Sequence, residues 1–271
     1  MKSFLDFVWV SNMENIIYLD SHAHLMSDDY SEDLEDVMHR CKQKHIDYIM
    51  IITLTKQEAI RAIEFRKRDP EHITIATGIF PEDAEKVTEE DWNDFVEIAS
   101  REEISVIGEI GLEYHWVKDE EARKKQRKLF IRQIELAKTL HKPIAVHSRD
   151  AIQDTFDILK EHQVPGLLHC FPGTKEMAKE FTKLGYYIAL GGALTFKNAR
   201  HSVEVVETID EKYLLSETDC PYMAPVPVRG TKNEPSNIPY IVQKMADVRN
   251  VSVEHMASTI LENWKRYLKC Q

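Results

Sequence analysis

Short apolar runs alternate along this chain with longer stretches whose apolar residues fall three or four apart. Residues 46–53 are almost continuously hydrophobic, the pattern of a strand covered on both faces. Just before them, Leu34, Val37, Met38 and Cys41 occupy i, i+3, i+4 and i+7, the stripe of an amphipathic helix. The exchange recurs to the end of the chain. An opening strand runs into Asp20-Ser21-His22-Ala23-His24, and further strands are predicted at residues 46–53, 73–77, 104–108, 143–147, 166–169, 186–190 and 213–217. Helices predicted between them cover residues 56–68, 92–100, 175–183 and 199–208. Two more are marked by Phe130, Ile134 and Ala137 and by Ile152, Phe156 and Leu159. A proline-rich loop at residues 221–235 leads to two last helices, near 238–248 and 253–267.

Eight strands, each followed by a helix and with no Gly/Ser tract dividing them, give an α/β chain folded as a single (β/α)8 TIM barrel. A doubly wound open sheet would use fewer strands and a glycine-rich turn after the first, where this chain has His-Ala-His. The barrel is expected over residues 16–271, with residues 1–15 as an extension and Met13 as a second start. The apolar run at residues 4–10 is too short to span a bilayer and lacks a small-residue cleavage site.

Composition narrows the function. A length of 271 residues with 43% apolar residues suits one large core. A net charge of −11 argues against an extended basic face gripping long duplexes, because such affinity comes largely from Lys and Arg displacing counterions. A locally basic or metal-lined mouth stays open. Cys41, Cys170, Cys220 and Cys270 are far apart with no CxxC pair, so reduced thiols in cytoplasm are expected. No stretch calls for a membrane, and none for an obligate protein partner.

In a barrel the active site gathers at the C-terminal ends of the strands. Strand one ends in His22 and His24, strand four runs into Glu109, strand five ends in His147, strand six in His169, and Asp219 follows strand eight. Singly, each reads as a hydrogen-bonded structural residue or a helix cap. Together, four imidazoles and two carboxylates at one rim exceed the needs of a tetrahedral cation and suggest two metals sharing a carboxylate, with Glu109 the natural bridge. The pair would lower the pKa of a water and neutralise substrate charge, and Asp219 would accept the water's proton.

These residues carry a resemblance. The chain resembles the TatD family of metal-dependent hydrolases, within the wider amidohydrolase-like barrels. The matching segments are Asp20-Ser21-His22-Ala23-His24, Gly108-Glu109-Ile110-Gly111-Leu112, residues 143–147 with Ser148-Arg149, His169-Cys170-Phe171, residues 191–198, Glu217-Thr218-Asp219, and Arg229-Gly230 through Asn233-Glu234-Pro235. The resemblance implies two divalent cations on residues matching His22, His24, Glu109, His147, His169 and Asp219, and hydrolysis of DNA phosphodiesters, typically from the 3′ end. Three positions depart from the family's pattern. Phe80 stands where His is usual, Glu113 replaces Asp, and Pro172 replaces a small residue.

The expected function is therefore that of a metal-dependent deoxyribonuclease acting on single-stranded or frayed DNA. Mixed imidazole and carboxylate donors accept Zn, Mg, Mn, Ni, Co or Fe. Arg149, Lys197 and Arg229, with Arg200 and Lys232 behind them, are candidates for holding phosphate oxygens. Glu217 is expected behind the ligands, and Cys170 and Cys220, by strand alternation, to point away from them. The rival activity is hydrolysis of small esters, lactones or amides on the same kind of barrel. Glu109, where many such relatives carry a carbamylated lysine, favours the nuclease. A metal-bearing scaffold without turnover would need neither the base nor the full donor set.

Overall fold

A computed structural model describes residues 16–269; the expected extension at residues 1–15 and Cys270 lie outside them. Eight parallel strands pair in sequential order: β1 (Tyr18–Ala23), β2 (Ile46–Thr53), β3 (Ile73–Thr77), β4 (Val106–Glu113), β5 (Ile144–Arg149), β6 (Gly166–Leu168), β7 (Tyr187–Leu190) and β8 (Leu214–Ser216). Helices α1 (Leu34–Gln43), α2 (Lys56–Arg66), α3 (Glu89–Ala99), α4 (Glu120–Thr139), α5 (Ile152–Glu161), α6 (Lys175–Lys183) and α7 (Arg200–Thr208) follow the first seven strands in turn. The last strand is followed by α8 (Ile238–Arg249) and α9 (Val253–Lys269). Parallel neighbours need such crossovers, and the helices then cover the outer face of the sheet. Every residue of β1, β3 and β4 is accordingly buried.

The sheet curls until β8 meets β1. No regular ladder closes this seam. Ser216 Oγ donates to the Leu19 carbonyl at 2.7 Å, the Asp219 amide donates to the His22 carbonyl at 2.9 Å, and Ala23 pairs with Cys220. The expected (β/α)8 barrel is the fold. Local chemistry fixes the helix starts: Thr55 with Glu58 and Thr88 with Asp91 form capping boxes that satisfy the first free amides of α2 and α3. Outside the sheet, Phe130, Phe181, Trp264 and Tyr267 are fully buried, and the Tyr267 hydroxyl donates to the Ile144 carbonyl at 3.1 Å.

Several strand ends differ from the sequence expectation; β5, for one, runs past His147 to Arg149. β4 does not stop at Gly108 but continues to Glu113, so Glu109 sits within the strand. The reason is backbone proximity, which hydropathy does not register. A Cβ on Gly111, whose φ is +145°, would lie 1.9 Å from the His147 carbonyl oxygen, so glycine lets β4 and β5 run on side by side. β6 and β8 are shorter than expected, which leaves His169 and Glu217 one residue beyond their strands.

Candidate metal centre

Six side chains from five strand ends converge inside the barrel mouth. His22 is the fifth residue of β1 and fully buried, and His24 lies one residue past that strand, with the two Nε2 atoms 3.2 Å apart. Glu109 projects from β4 between two pairs of imidazoles. Its Oε2 faces His22 Nε2 at 3.5 Å and His24 Nε2 at 3.6 Å, while its Oε1 faces His147 Nδ1 and His169 Nε2, both at 2.8 Å. Asp219 Oδ1 adds a further oxygen, 3.5 Å from His24 Nε2 and 3.8 Å from His22 Nε2. Two of the close donor clusters are His22, His24 and Asp219, and Glu109, His147 and His169; His169 also falls close to His22 with Glu217 and to Cys170 with Asp219.

These spacings suit cations. Two nitrogen donors bound tetrahedrally at about 2.05 Å from one zinc would lie about 3.3 Å apart, and His22–His24 and His147–His169 both stand at 3.2 Å. Buried imidazoles that close, with few protons to share, are poor hydrogen-bond partners for one another. Two of the rings also carry a buried nitrogen without a partner, His22 Nδ1 and His169 Nδ1.

The electrostatics point the same way. Burial alone would raise the Glu109 carboxyl's pKa, but His169, His147 and His22 around it hold it well below the usual range. Burial likewise opposes ionisation of Asp219, and the hydrogen bond from His24 together with the nearby imidazoles keeps it ionised. Burial and the neighbouring His169 push His22 down to about 4. Burial would lower His169 as well, yet the Glu109 carboxylate lifts it to about 10. His22 and His169 stack at 3.9 Å, so charge on one ring disfavours charge on the other, and their pKa values move apart. A divalent cation would take over the role of these protons.

A second layer holds the donors. Asp20, fully buried, accepts from the His22 amide at 3.1 Å and from the Thr218 amide at 2.9 Å, tying β1 to the segment that carries Asp219. Asn233 clamps that segment from the proline-rich loop, its Nδ2 donating to the Thr218 and Tyr222 carbonyls at 3.0 and 2.8 Å. Glu113 Oε2 meets His147 Nε2 at 3.2 Å, and its Oε1 accepts the amides of His115 and Trp116 at 2.7 and 3.2 Å. Sequence reasoning marked Glu113 only as a departure from a pattern. The signal was its i+4 spacing from Glu109, which on a longer β4 puts both carboxylates on one face. Glu217 accepts the Cys170 amide and stands 3.8 Å from His169 Nδ1.

Other expected site residues fare differently. Cys170 was expected to point away, but its Sγ lies 3.6 Å from Asp219 Oδ2. It sits past the end of β6 with φ +40°, where strand alternation no longer applies. Burial and the Glu217 and Asp219 carboxylates push its thiol well above the usual range, which disfavours the thiolate. Cys220 is fully buried, as expected of packing. Lys232 is not free for phosphate: it binds Asp33 at 2.7 Å, and Arg200 likewise pairs with Glu204 at 2.8 Å. Arg149 and Lys197 are exposed, and Arg229 packs over the Phe196 ring at 4.1 Å. Phe80 places its ring 5.0 Å from that of His147, and Pro172 is exposed.

Comparison with known proteins gives a consistent picture. The model of a family described as TatD related DNase matches residues 19–269. The uncharacterized metal-dependent hydrolase YabD of Bacillus subtilis is 40% identical over 253 residues, 92% of this chain and 98% of that protein. Its counterpart YcfH of Escherichia coli is 32% identical over 92% of this chain and 94% of its own length. Among solved structures, the TatD homolog YjjV of Escherichia coli superposes with a TM-score of 0.83 at 25% identity, covering 91% of this chain and 95% of that one.

Proposed function

We propose, from the premise that this chain belongs to the TatD family of metal-dependent hydrolases, that it hydrolyses phosphodiester bonds of DNA from the 3′ end of single-stranded or frayed substrates. The observation that carries the reading is the division of Glu109, one carboxylate oxygen toward His22 and His24 and the other toward His147 and His169. That division fits a dinuclear centre with Glu109 as bridge and His22, His24, His147, His169 and Asp219 as the other ligands. Divalent cations bound there, Zn, Mg, Mn or Ni, would supply Lewis acidity, lowering the pKa of a water and offsetting charge on the substrate's oxygens.

The chain's own residues supply the rest. Asp219, kept ionised at the mouth, takes the proton of the attacking water. Arg149, Lys197 and Arg229 hold the phosphates on either side, as charge-assisted hydrogen bonds allow. With so few cations on a chain of net charge −11, a strand end that enters the mouth is favoured over a stiff duplex. The free thiols of Cys41, Cys170 and Cys220 suit a cytoplasmic enzyme, and no helix among the described residues is long and apolar enough to cross a membrane.

The test loads the protein with each metal and assays 5′-labelled single-stranded DNA beside a panel of small esters, lactones and amides. A ladder of progressively shortened strands is expected, absent in a His22→Ala/His24→Ala variant that has also lost bound metal. Turnover of an ester or lactone with untouched DNA would replace the nuclease by the small-molecule hydrolase.

A further inference from the structure

The most exposed large apolar side chain among the described residues is Trp116, with 66% of its surface open to solvent. It is not a loose loop residue. Its amide donates to Glu113 Oε1, the same carboxylate whose Oε2 meets His147 Nε2, so one buried side chain joins the indole's backbone to a ring of the metal centre. The loop is pinned again by Lys118, which donates to the Tyr114 carbonyl at 2.9 Å, and by Arg123, which donates to the Val117 carbonyl at 2.9 Å. The His115 ring meets the indole edge-on at 4.5 Å and is itself held by Asp150 at 3.0 Å.

Beside the indole stands a cation. The Arg149 guanidinium lies 5.5 Å from the ring centroid, two residues after His147 on β5, and forms no ion pair among the described residues. Most other arginines of this acidic chain are matched to carboxylates or carbonyls, as Arg40 is to Glu234 and Arg132 to Glu89. A well-held indole with most of its surface open and an unpaired guanidinium over its ring, anchored to a metal-centre histidine through Glu113, has the complementarity of a nucleotide unit: a flat base and an anionic phosphate. An anionic membrane would satisfy only the arginine and would be repelled by a chain of net charge −11.

We propose that Trp116 and Arg149 form a nucleobase subsite, the indole stacking on the base of a nucleotide next to the scissile bond while the guanidinium holds that nucleotide's phosphate. The proposal rests on the phosphodiesterase reading and adds to it a binding determinant: the bases of a single strand, unlike those of a duplex, are free to splay onto a protein ring. Stacking on a protein aromatic tolerates every base, because each has a π face, so the subsite confers preference for single strands without sequence specificity.

The experiment compares holoenzyme variants on an intact oligothymidylate and on the same strand with one abasic position near its 3′ end. Trp116→Ala is expected to raise KM for the intact strand about 5- to 150-fold with kcat little changed, and to leave the abasic strand unaffected. Trp116→Phe is expected to retain most of the affinity. A second readout needs no turnover. Trp92 and Trp264 are buried, so in a Trp9→Phe background a phosphorothioate oligothymidylate should quench the fluorescence of Trp116, and the quench should vanish in Trp116→Phe. An unchanged KM for Trp116→Ala, or an equal loss on intact and abasic strands, overturns the subsite alone. A wild-type holoenzyme that cleaves neither strand overturns the phosphodiesterase reading, and the subsite with it.

Discussion

Replacing Glu113 by Gln tests whether the metal centre is tuned from behind its ligands. His147 is held between two carboxylates, Glu109 Oε1 at 2.8 Å from Nδ1 and Glu113 Oε2 at 3.2 Å from Nε2. Burial opposes the Glu113 charge, but His147 and the His115 and Trp116 amides keep its carboxyl below the usual range. As an anion it can only accept, so with a cation bound it would hold the His147 proton on Nε2 and leave the Nδ1 lone pair for the metal. Glutamine keeps the shape but can donate to Nε2, which favours the opposite tautomer and caps Nδ1 with a proton. Outer partners of ligating histidines typically carry 10- to 100-fold of metal affinity, about 1.4 to 2.7 kcal/mol. The loss should fall on the site built from Glu109, His147 and His169, leaving that of His22, His24 and Asp219 near its wild-type affinity. Competition with a chromophoric chelator, read together with elemental analysis, resolves the two. Glu113→Asp, which keeps the charge on a shorter arm, should lie between wild type and Glu113→Gln. Two unchanged affinities in Glu113→Gln, or an equal loss at both, would refute the tautomer argument.

Other perturbations test separate parts of the picture. Glu109→Gln removes the charge that a bridging ligand needs; elemental analysis should show loss of one metal, with a rate at least about a hundredfold lower. Gly111→Ala puts a methyl 1.9 Å from the His147 carbonyl at a φ of +145°, and should cost at least about 1 to 3 kcal/mol in urea unfolding together with metal affinity. End-directed cleavage predicts that linear single-stranded DNA is degraded while a circle is spared. In the same assay the slope of log affinity against log salt should be shallow, on the order of −1 to −2, since few phosphates are neutralised.

Much of this protein was legible along the chain. Burial on both faces forces apolar runs at strands and apolar stripes at helices, so alternation alone marked eight βα units. The barrel's rule that strand ends face one mouth made His22, His24, Glu109, His147, His169 and Asp219 the candidate donors, and the fold brings these side chains together. Hydropathy failed where backbones touch, as at Gly108 and Gly111, because an approach between main chains leaves no apolar signal; β4 therefore runs to Glu113. Only the tertiary structure decided which oxygen of Glu109 faces which pair of rings, that Cys170 turns toward Asp219, and that Lys232 is taken by Asp33 while Arg149 lies beside Trp116. A sequence records what each residue can donate, accept or bury. Which partner it meets depends on loops that fold back from far along the chain, as Asn233 does onto Thr218, and such meetings are fixed by packing in three dimensions.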